Sequence, residues 1–156
     1  MSAYSLFFPL PPELVFELAT VSVVPAWVLL AAAPRARATR YLAHSIAPVL
    51  ILGVLYGGLI AGGAFGGPGA SLSSLDGVMR LAQRPEAVLA AWVHYLVLDL
   101  FAGAWMVRDA RDRGIAHLAV LPSLAVTALL GPLGLGLYFL TRVALARGGW
   151  ALDPVR

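Results

Sequence analysis

The chain has 156 residues, of which 60% are hydrophobic and only 12% are charged, whereas a soluble domain carries roughly 25% charged residues. The chain has too few polar side chains to shield its apolar residues from water. Its composition therefore excludes an ordinary soluble domain. All 11 basic residues are arginine and are spread between apolar runs, which is typical of loops at a lipid headgroup surface and not of a nucleic-acid-binding patch. Cysteine is absent, which excludes disulfides and thiol chemistry.

The first apolar run predicts a membrane span over residues 13–33, ended by Pro34 and the arginines that follow it. Glu13 and Glu17 stand where a signal peptide would carry positive charge, so we interpret the segment as a retained helix. Two acids in a first helical turn complement the helix dipole, which is the simplest reading of the pair. The alternative is that they meet His94 or Asp99 in a metal or acid/base site.

The second predicted span covers residues 44–64 and is rich in glycine. Small residues at four-residue intervals let another helix approach closely in lipid. This spacing favours internal packing, with homo-oligomer formation as the alternative. The glycines concerned are Gly53, Gly57, Gly58, Gly62 and Gly66.

The rest of the chain predicts a loop with a short amphipathic helix at the interface, then spans over residues 86–107 and 116–146. Gly131-Pro132 should kink the last span, because proline removes a backbone hydrogen bond. The charge run Arg108 to Arg113 is most simply a solvated, salt-bridged loop, although Asp109 can alternatively close the end of a site.

Residues 1–156 are thus expected to form one all-α domain, a four-transmembrane-helix bundle. The loops after the first and third spans hold six arginines, and the segments on the other side of the membrane hold five. Because arginine-rich loops tend to stay on the cytoplasmic side, this count favours both termini outside the cytoplasm.

The third span carries the residues most informative about function. A carboxylate in the middle of a membrane costs about 2.5–3.5 kcal/mol, so Asp99 should face other helices, be paired, or be protonated. Asp99 lies on the same helix face as Trp92 and Tyr95. A second face, about 140° around the helix, carries His94, Phe101 and Trp105. His94 and Asp99 can converge on a ligand between helices; otherwise Asp99 bonds to Tyr95 one turn back.

Several segments resemble the abscisic-acid-deficient-4-like family, also described as neoxanthin synthase-like. They are the run Ala91-Trp92-Val93-His94-Tyr95-Leu96-Val97-Leu98-Asp99-Leu100-Phe101, then Arg108-Asp109-Ala110 and Leu130-Gly131-Pro132-Leu133-Gly134. The resemblance implies a four-helix membrane protein of carotenoid metabolism, which in plants is associated with rearranging violaxanthin to neoxanthin. Such a step needs a proton donor and a base but no net redox change.

The resemblance therefore implies His94 and Asp99 as the catalytic pair, without a metal or cofactor. The residues expected to contact the substrate are Trp92, Tyr95, Phe101, Trp105 and Asp109. The alanine, arginine and glycine bias looks bacterial, so we expect a multi-pass protein of a bacterial plasma membrane whose partners are membrane lipid and a carotenoid or other isoprenoid. The alternative is a non-catalytic carotenoid-binding or accessory protein. A proton or ion pathway is disfavoured, because one acid and one histidine make a sparse relay.

Overall fold

The computed structural model describes residues 10–145, and every regular element within them is helical. The helices are α1 (Pro12–Ala32), α2 (Arg37–Leu42), α3 (Ala47–Ala61), α4 (Leu75–Leu81), α5 (Pro85–Asp112) and α6 (His117–Ala144). In this part of the chain, 4 segments are long and apolar enough to cross a membrane: α1, Arg37–Ala61, α5 and α6. The all-α prediction with four such helices and a short helix before the third is confirmed. Ala146, the predicted end of the last span, and both ends of the predicted 1–156 domain lie outside the described residues.

The first of two compact units comprises residues 10–23 and 46–97. The indole Nε1 of Trp92 in α5 donates a hydrogen bond to Thr20 Oγ1 in α1 at 2.8 Å. The ring of Phe16 lies 5.0 Å from the Trp92 ring, centroid to centroid. Apolar side chains of α1, α3 and α5 are buried in this unit, among them Val15, Ala19, Leu52, Leu59 and Val93. The N-terminal half of α5 is therefore fixed against α1.

A glycine-rich loop leads from α3 to α4 in the same unit. Gly63 has a φ of 83°, which glycine adopts without the steric cost that a Cβ brings. Arg84 Nη1 donates hydrogen bonds to the carbonyl oxygens of Gly63, at 3.0 Å, and of Gly66. The short helix α4 begins at a serine cap, because Ser74 Oγ accepts from the Gly77 backbone N–H at 3.1 Å.

The second unit comprises residues 24–45 and the described residues from 98 onward. Its core includes Leu30, Leu100, Met106, Leu124 and Tyr138. The Trp27 ring of α1 lies on Gly103 of α5, where an added Cβ would come within 2.7 Å of ring atoms. His117 Nε2 at the start of α6 lies 2.8 Å from the carbonyl oxygen of Ala31. These contacts hold the ends of α1 and α5 and the start of α6 together.

Helix α6 is broken at Leu130, whose φ of −143° and ψ of 62° are not helical. Its two arms, residues 117–129 and 131–144, fold back on each other, since a Cβ on Gly134 would overlap Thr127. In a straight helix these two residues would be about 10 Å apart along the axis. The break lies at the predicted Gly131-Pro132 position, and it is a reversal of direction, sharper than an ordinary proline kink.

The far end of α6 confirms the reversal. Arg142 and Tyr138 both contact Asp109 near the end of α5, close to where α6 begins. A straight α6 would place Arg142 about 37 Å from His117, far beyond the reach of its side chain. Each arm is about 20 Å long, so neither alone covers the hydrocarbon core of a bilayer, which is about 30 Å thick.

One sequence-based prediction about packing is wrong, and a second fails at two of its five positions. The run from Arg108 to Asp112 continues α5 past Val107 and is no loop, and the Asp109 and Arg113 side chains are only 9% and 8% exposed. They are buried because their opposite charges pair and the second arm of α6 covers them. Internal packing of the α3 glycines also fails at Gly53 and Gly57, where an added Cβ would meet no described atom within 4 Å.

Candidate functional site

The predicted aromatic residues of the first unit lie together on α5, with Trp92 half-buried and Tyr95 exposed. The Trp92 and Tyr95 rings stack with centroids 6.4 Å apart and planes 9° apart. His94 is exposed, and its ring lies 5.8 Å from the Tyr56 ring of α3. Because lipid surrounds a helix that crosses a membrane, a membrane-dissolved ligand can reach His94 and Tyr95 directly.

Glu13 and Glu17 line a shallow cavity of about 420 Å³ in the first unit. The cavity also contacts the first turn of α5, at Pro85 and Val88. Within residues 10–145, no three His, Asp or Glu side chains come close enough to hold a metal ion. The alternative in which the two glutamates join His94 or Asp99 around a metal therefore has no support in this part of the chain.

Asp99 lies midway along α5, in the second unit, and is half-buried. Its carboxylate contacts the backbone of Gly131 so closely that a Cβ there would overlap Oδ1. Gly131 is the first residue of the second α6 arm, whose opening N–H groups lack helical partners and carry the positive end of the helix dipole. The Asp99 carboxylate is thus held against a break in a helix. Membrane proteins tolerate such irregular backbone where it is buried in protein or lines a cavity.

The alternative hydrogen bond from Tyr95 to Asp99 does not form. Tyr95 is 39% exposed and stacks on Trp92 instead. Over residues 10–145 the Asp99 carboxylate has no hydrogen-bond or ion-pair partner. Its oxygens therefore remain available, and a carboxyl group in this position can accept or donate a proton.

Asp109 lies at the centre of a buried polar cluster. Arg113 Nε donates to both carboxylate oxygens at 2.9 Å, and the Tyr138 hydroxyl donates to Oδ2 at 2.6 Å. The fully buried Arg142 places Nη1 3.5 Å from Oδ2, and its guanidinium carbon lies 5.2 Å from the centre of the Phe139 ring. Asp109 thus joins the end of α5 to the second α6 arm, while its contact with a substrate stays a prediction.

The two remaining aromatic candidates differ from each other. Trp105 packs edge to face on Tyr138, with centroids 5.7 Å apart and planes 85° apart, and also on Phe139. Phe101 is 56% exposed and faces outward. Trp105 thus supports the second α6 arm from α5, whereas Phe101 is open to lipid.

The sequence interpretation missed Tyr138 as a member of this polar cluster and treated Arg142 only as the end of a helix. A pattern in the sequence points to both. Tyr138 and Arg142 are four residues apart, as are Asp109 and Arg113, so each pair occupies one helical face. Two such polar pairs within apolar helices indicate a shared buried cluster, because unpaired polar groups are costly there.

Comparison with known proteins agrees with the resemblance seen in the sequence. A family model described as ABA DEFICIENT 4-like matches residues 14–138, which include His94, Asp99, Asp109 and Tyr138. Protein ABA DEFICIENT 4, chloroplastic, from Arabidopsis thaliana is 29% identical over 139 residues, covering 84% of this chain and 61% of that protein. The chain thus spans about three fifths of that relative's length. No solved structure matches.

Proposed function

This chain belongs to the ABA DEFICIENT 4-like family, and from that premise we propose that it is a membrane enzyme that rearranges a carotenoid or related isoprenoid polyene by proton transfer. The location of the Asp99 carboxylate supports the proposal most directly. It lies midway along a membrane-length helix, has no hydrogen-bond partner in residues 10–145 and rests against the break in α6. A mid-membrane acid without a structural partner is a functional candidate by default.

The chemistry requires only groups that the chain supplies. In an isomerisation one proton is added to the substrate and another is removed, so atoms and electrons balance without an oxidant. Asp99 would carry one of these transfers, in the carboxyl form as a donor or in the carboxylate form as an acceptor. The nearby N-terminus of the second α6 arm favours the carboxylate once the proton has left.

His94 is the second proposed acid/base residue, since histidine is a common general acid or base in catalysis. Its support is its exposure on α5 beside Tyr56, where lipid-dissolved molecules have access. Trp92, Tyr95, Phe101 and Trp105 would contact the apolar polyene, and Asp109 would hold its polar end. A multi-pass location in a bacterial plasma membrane completes the proposal, supported by the four apolar segments and the alanine, arginine and glycine bias.

The first test is to express the chain in a carotenoid-producing bacterium and to compare extracted pigments by chromatography and mass spectrometry. Asp99→Asn keeps the shape of the side chain but cannot accept or donate a proton as a carboxyl group does. Asp76→Asn, at an exposed aspartate of α4, is the matched control. We expect a pigment of unchanged mass and altered retention that disappears with Asp99→Asn and persists with Asp76→Asn. A pigment that persists in both variants would rule out an acid/base role for Asp99.

A non-catalytic pigment-binding protein is the second candidate, and the Trp92–Tyr95 stack, in which Tyr95 is exposed, favours it. Purification in mild detergent discriminates the two functions. A binder retains pigment with a shifted absorption spectrum, loses it with Tyr95→Ala, and keeps it with Asp99→Asn. An enzyme instead changes the pigment profile of the cell. His94→Gln in the same pigment assay then tests the acid/base role of His94 separately from that of Asp99.

A further inference from the structure

A cavity of about 640 Å³ opens in the second unit, between the ends of α1 and α5 and the start of α6. Its wall carries two arginines, Arg35 and Arg111. Its apolar lining includes Val107, Ala110 and Ile115, all of which are buried. The cavity thus combines a cationic wall with an apolar floor.

The surroundings of the cavity are strongly positive. The described part of the second unit holds seven arginines against three acids, Asp99, Asp109 and Asp112, which leaves a formal charge of +4. Asp109 is already engaged by Arg113 and Arg142. The arginines are Arg35, Arg37, Arg40, Arg108, Arg111, Arg113 and Arg142.

The two cavity arginines are available to a ligand. Arg35 is exposed. Arg111 lies 3.6 Å from Asp112, but both side chains are more than half exposed, and such a pair contributes little. His117 also lines the cavity; its Nε2–H donates to the Ala31 carbonyl, which fixes the ring as part of the wall.

We propose that this cavity binds the phosphate of an anionic phospholipid headgroup, with Arg35 and Arg111 donating to the phosphate oxygens. Guanidinium groups match phosphate geometry, and basic pockets between the ends of membrane helices recognise anionic lipid headgroups. The floor of Val107, Ala110 and Ile115 would receive the glycerol and the first methylene groups. That floor favours a lipid over free phosphate, which has no apolar part.

The test is native mass spectrometry of the purified chain in detergent, titrated with phosphatidylglycerol and, separately, with phosphatidylcholine. We expect the double variant Arg35→Gln/Arg111→Gln to lower the affinity for phosphatidylglycerol by about 30-fold, at roughly five-fold for each arginine. The double variant Arg37→Gln/Arg40→Gln removes the same charge from exposed positions outside the cavity. It should change the affinity by less than about three-fold, because salt screens exposed charges that do not contact the phosphate.

Three results would overturn the proposal. An equal loss in both double variants would mean diffuse attraction to a positive surface. Equal binding of the two lipids would mean that the cavity does not select the anionic headgroup. Displacement of phosphatidylglycerol by inorganic phosphate at comparable concentration would identify a free-phosphate site. Because both arginines are exposed, the variants should keep the melting temperature of the parent, and Arg35→Lys/Arg111→Lys, with charge but without the planar fork, should retain intermediate affinity.

Discussion

The two units each contain an aspartate–arginine pair with the same spacing and the same contact distance. Arg80 Nε lies 2.9 Å from Asp76 Oδ2 in the first unit, and Arg113 Nε lies 2.9 Å from Asp109 Oδ1 in the second. The first pair is 54% and 75% exposed, the second 8% and 9%. An exposed pair contributes about 0–1 kcal/mol, whereas breaking a buried pair costs about 3–5 kcal/mol. Sequence spacing therefore locates an ion pair but does not set its contribution to stability.

The glycines of α3 and α6 differ in the same way. Gly53 and Gly57 have no described atom within 4 Å of an added Cβ, whereas Gly131 and Gly134 contact Asp99 and Thr127 closely. Both helices are apolar and rich in glycine, so composition does not distinguish them. The difference arises from the break at Leu130, which presses the second arm of α6 against α5 and against the first arm.

The comparison of α3 with α6 predicts an all-or-none difference in labelling from the two sides of the membrane. The chain has no cysteine, so single introduced cysteines report cleanly to an impermeant maleimide on intact cells. Ala116→Cys and Leu145→Cys, at the two ends of α6, should be labelled alike because the arms fold back. Ala38→Cys and Leu72→Cys, close to the two ends of the segment Arg37–Ala61 that contains α3, should differ. Labelling of Ala116→Cys and Leu145→Cys from opposite sides would show that α6 crosses the membrane once and that its arms do not fold back.

The next largest effect concerns the two ion pairs. Asp109→Ala removes the buried carboxylate that pairs with Arg113 and Arg142, and we expect the free energy of unfolding in detergent to fall by about 3–5 kcal/mol. The matched change Asp76→Ala should lower it by less than about 1 kcal/mol. Denaturation monitored by circular dichroism measures both. Similar small losses would mean that the Asp109 cluster is hydrated.

A smaller effect is expected at the tip of α6. Gly131→Ala places a methyl group on the Asp99 carboxylate, and overpacking of this kind costs about 1–3 kcal/mol. Gly136→Ala, five residues further along the same arm, meets no described atom within 4 Å and is the control. If Asp99 is the acid/base residue, Gly131→Ala should also reduce product formation in the pigment assay while Gly136→Ala does not. Equal stability of the two variants would place Asp99 away from the break.

These contrasts explain how far the sequence alone could be interpreted. Hydropathy predicted the four long helices because the membrane constrains length and polarity strongly. Gly131-Pro132 predicted where α6 breaks, but the direction after the break depends on contacts with α5, such as Tyr138 with Asp109, that no local pattern encodes. Likewise Asp109 was a candidate, yet its burial depends on the second arm, and arginine near a helix end is ordinarily solvated at the interface.

The smallest effect concerns Gly57 and bears on whether copies of the chain associate through α3. Alanine favours a helix over glycine by about 0.5–1 kcal/mol, so at an open position Gly57→Ala should leave the free energy of unfolding unchanged or raise it by that amount. Gly103→Ala, beneath the Trp27 ring, should lower it and provides the contrast. If Gly57→Ala instead lowers stability, and does so more at high protein concentration, a second copy covers the glycine face. That outcome would favour the homo-oligomer, because small residues at this spacing let helices approach closely in lipid.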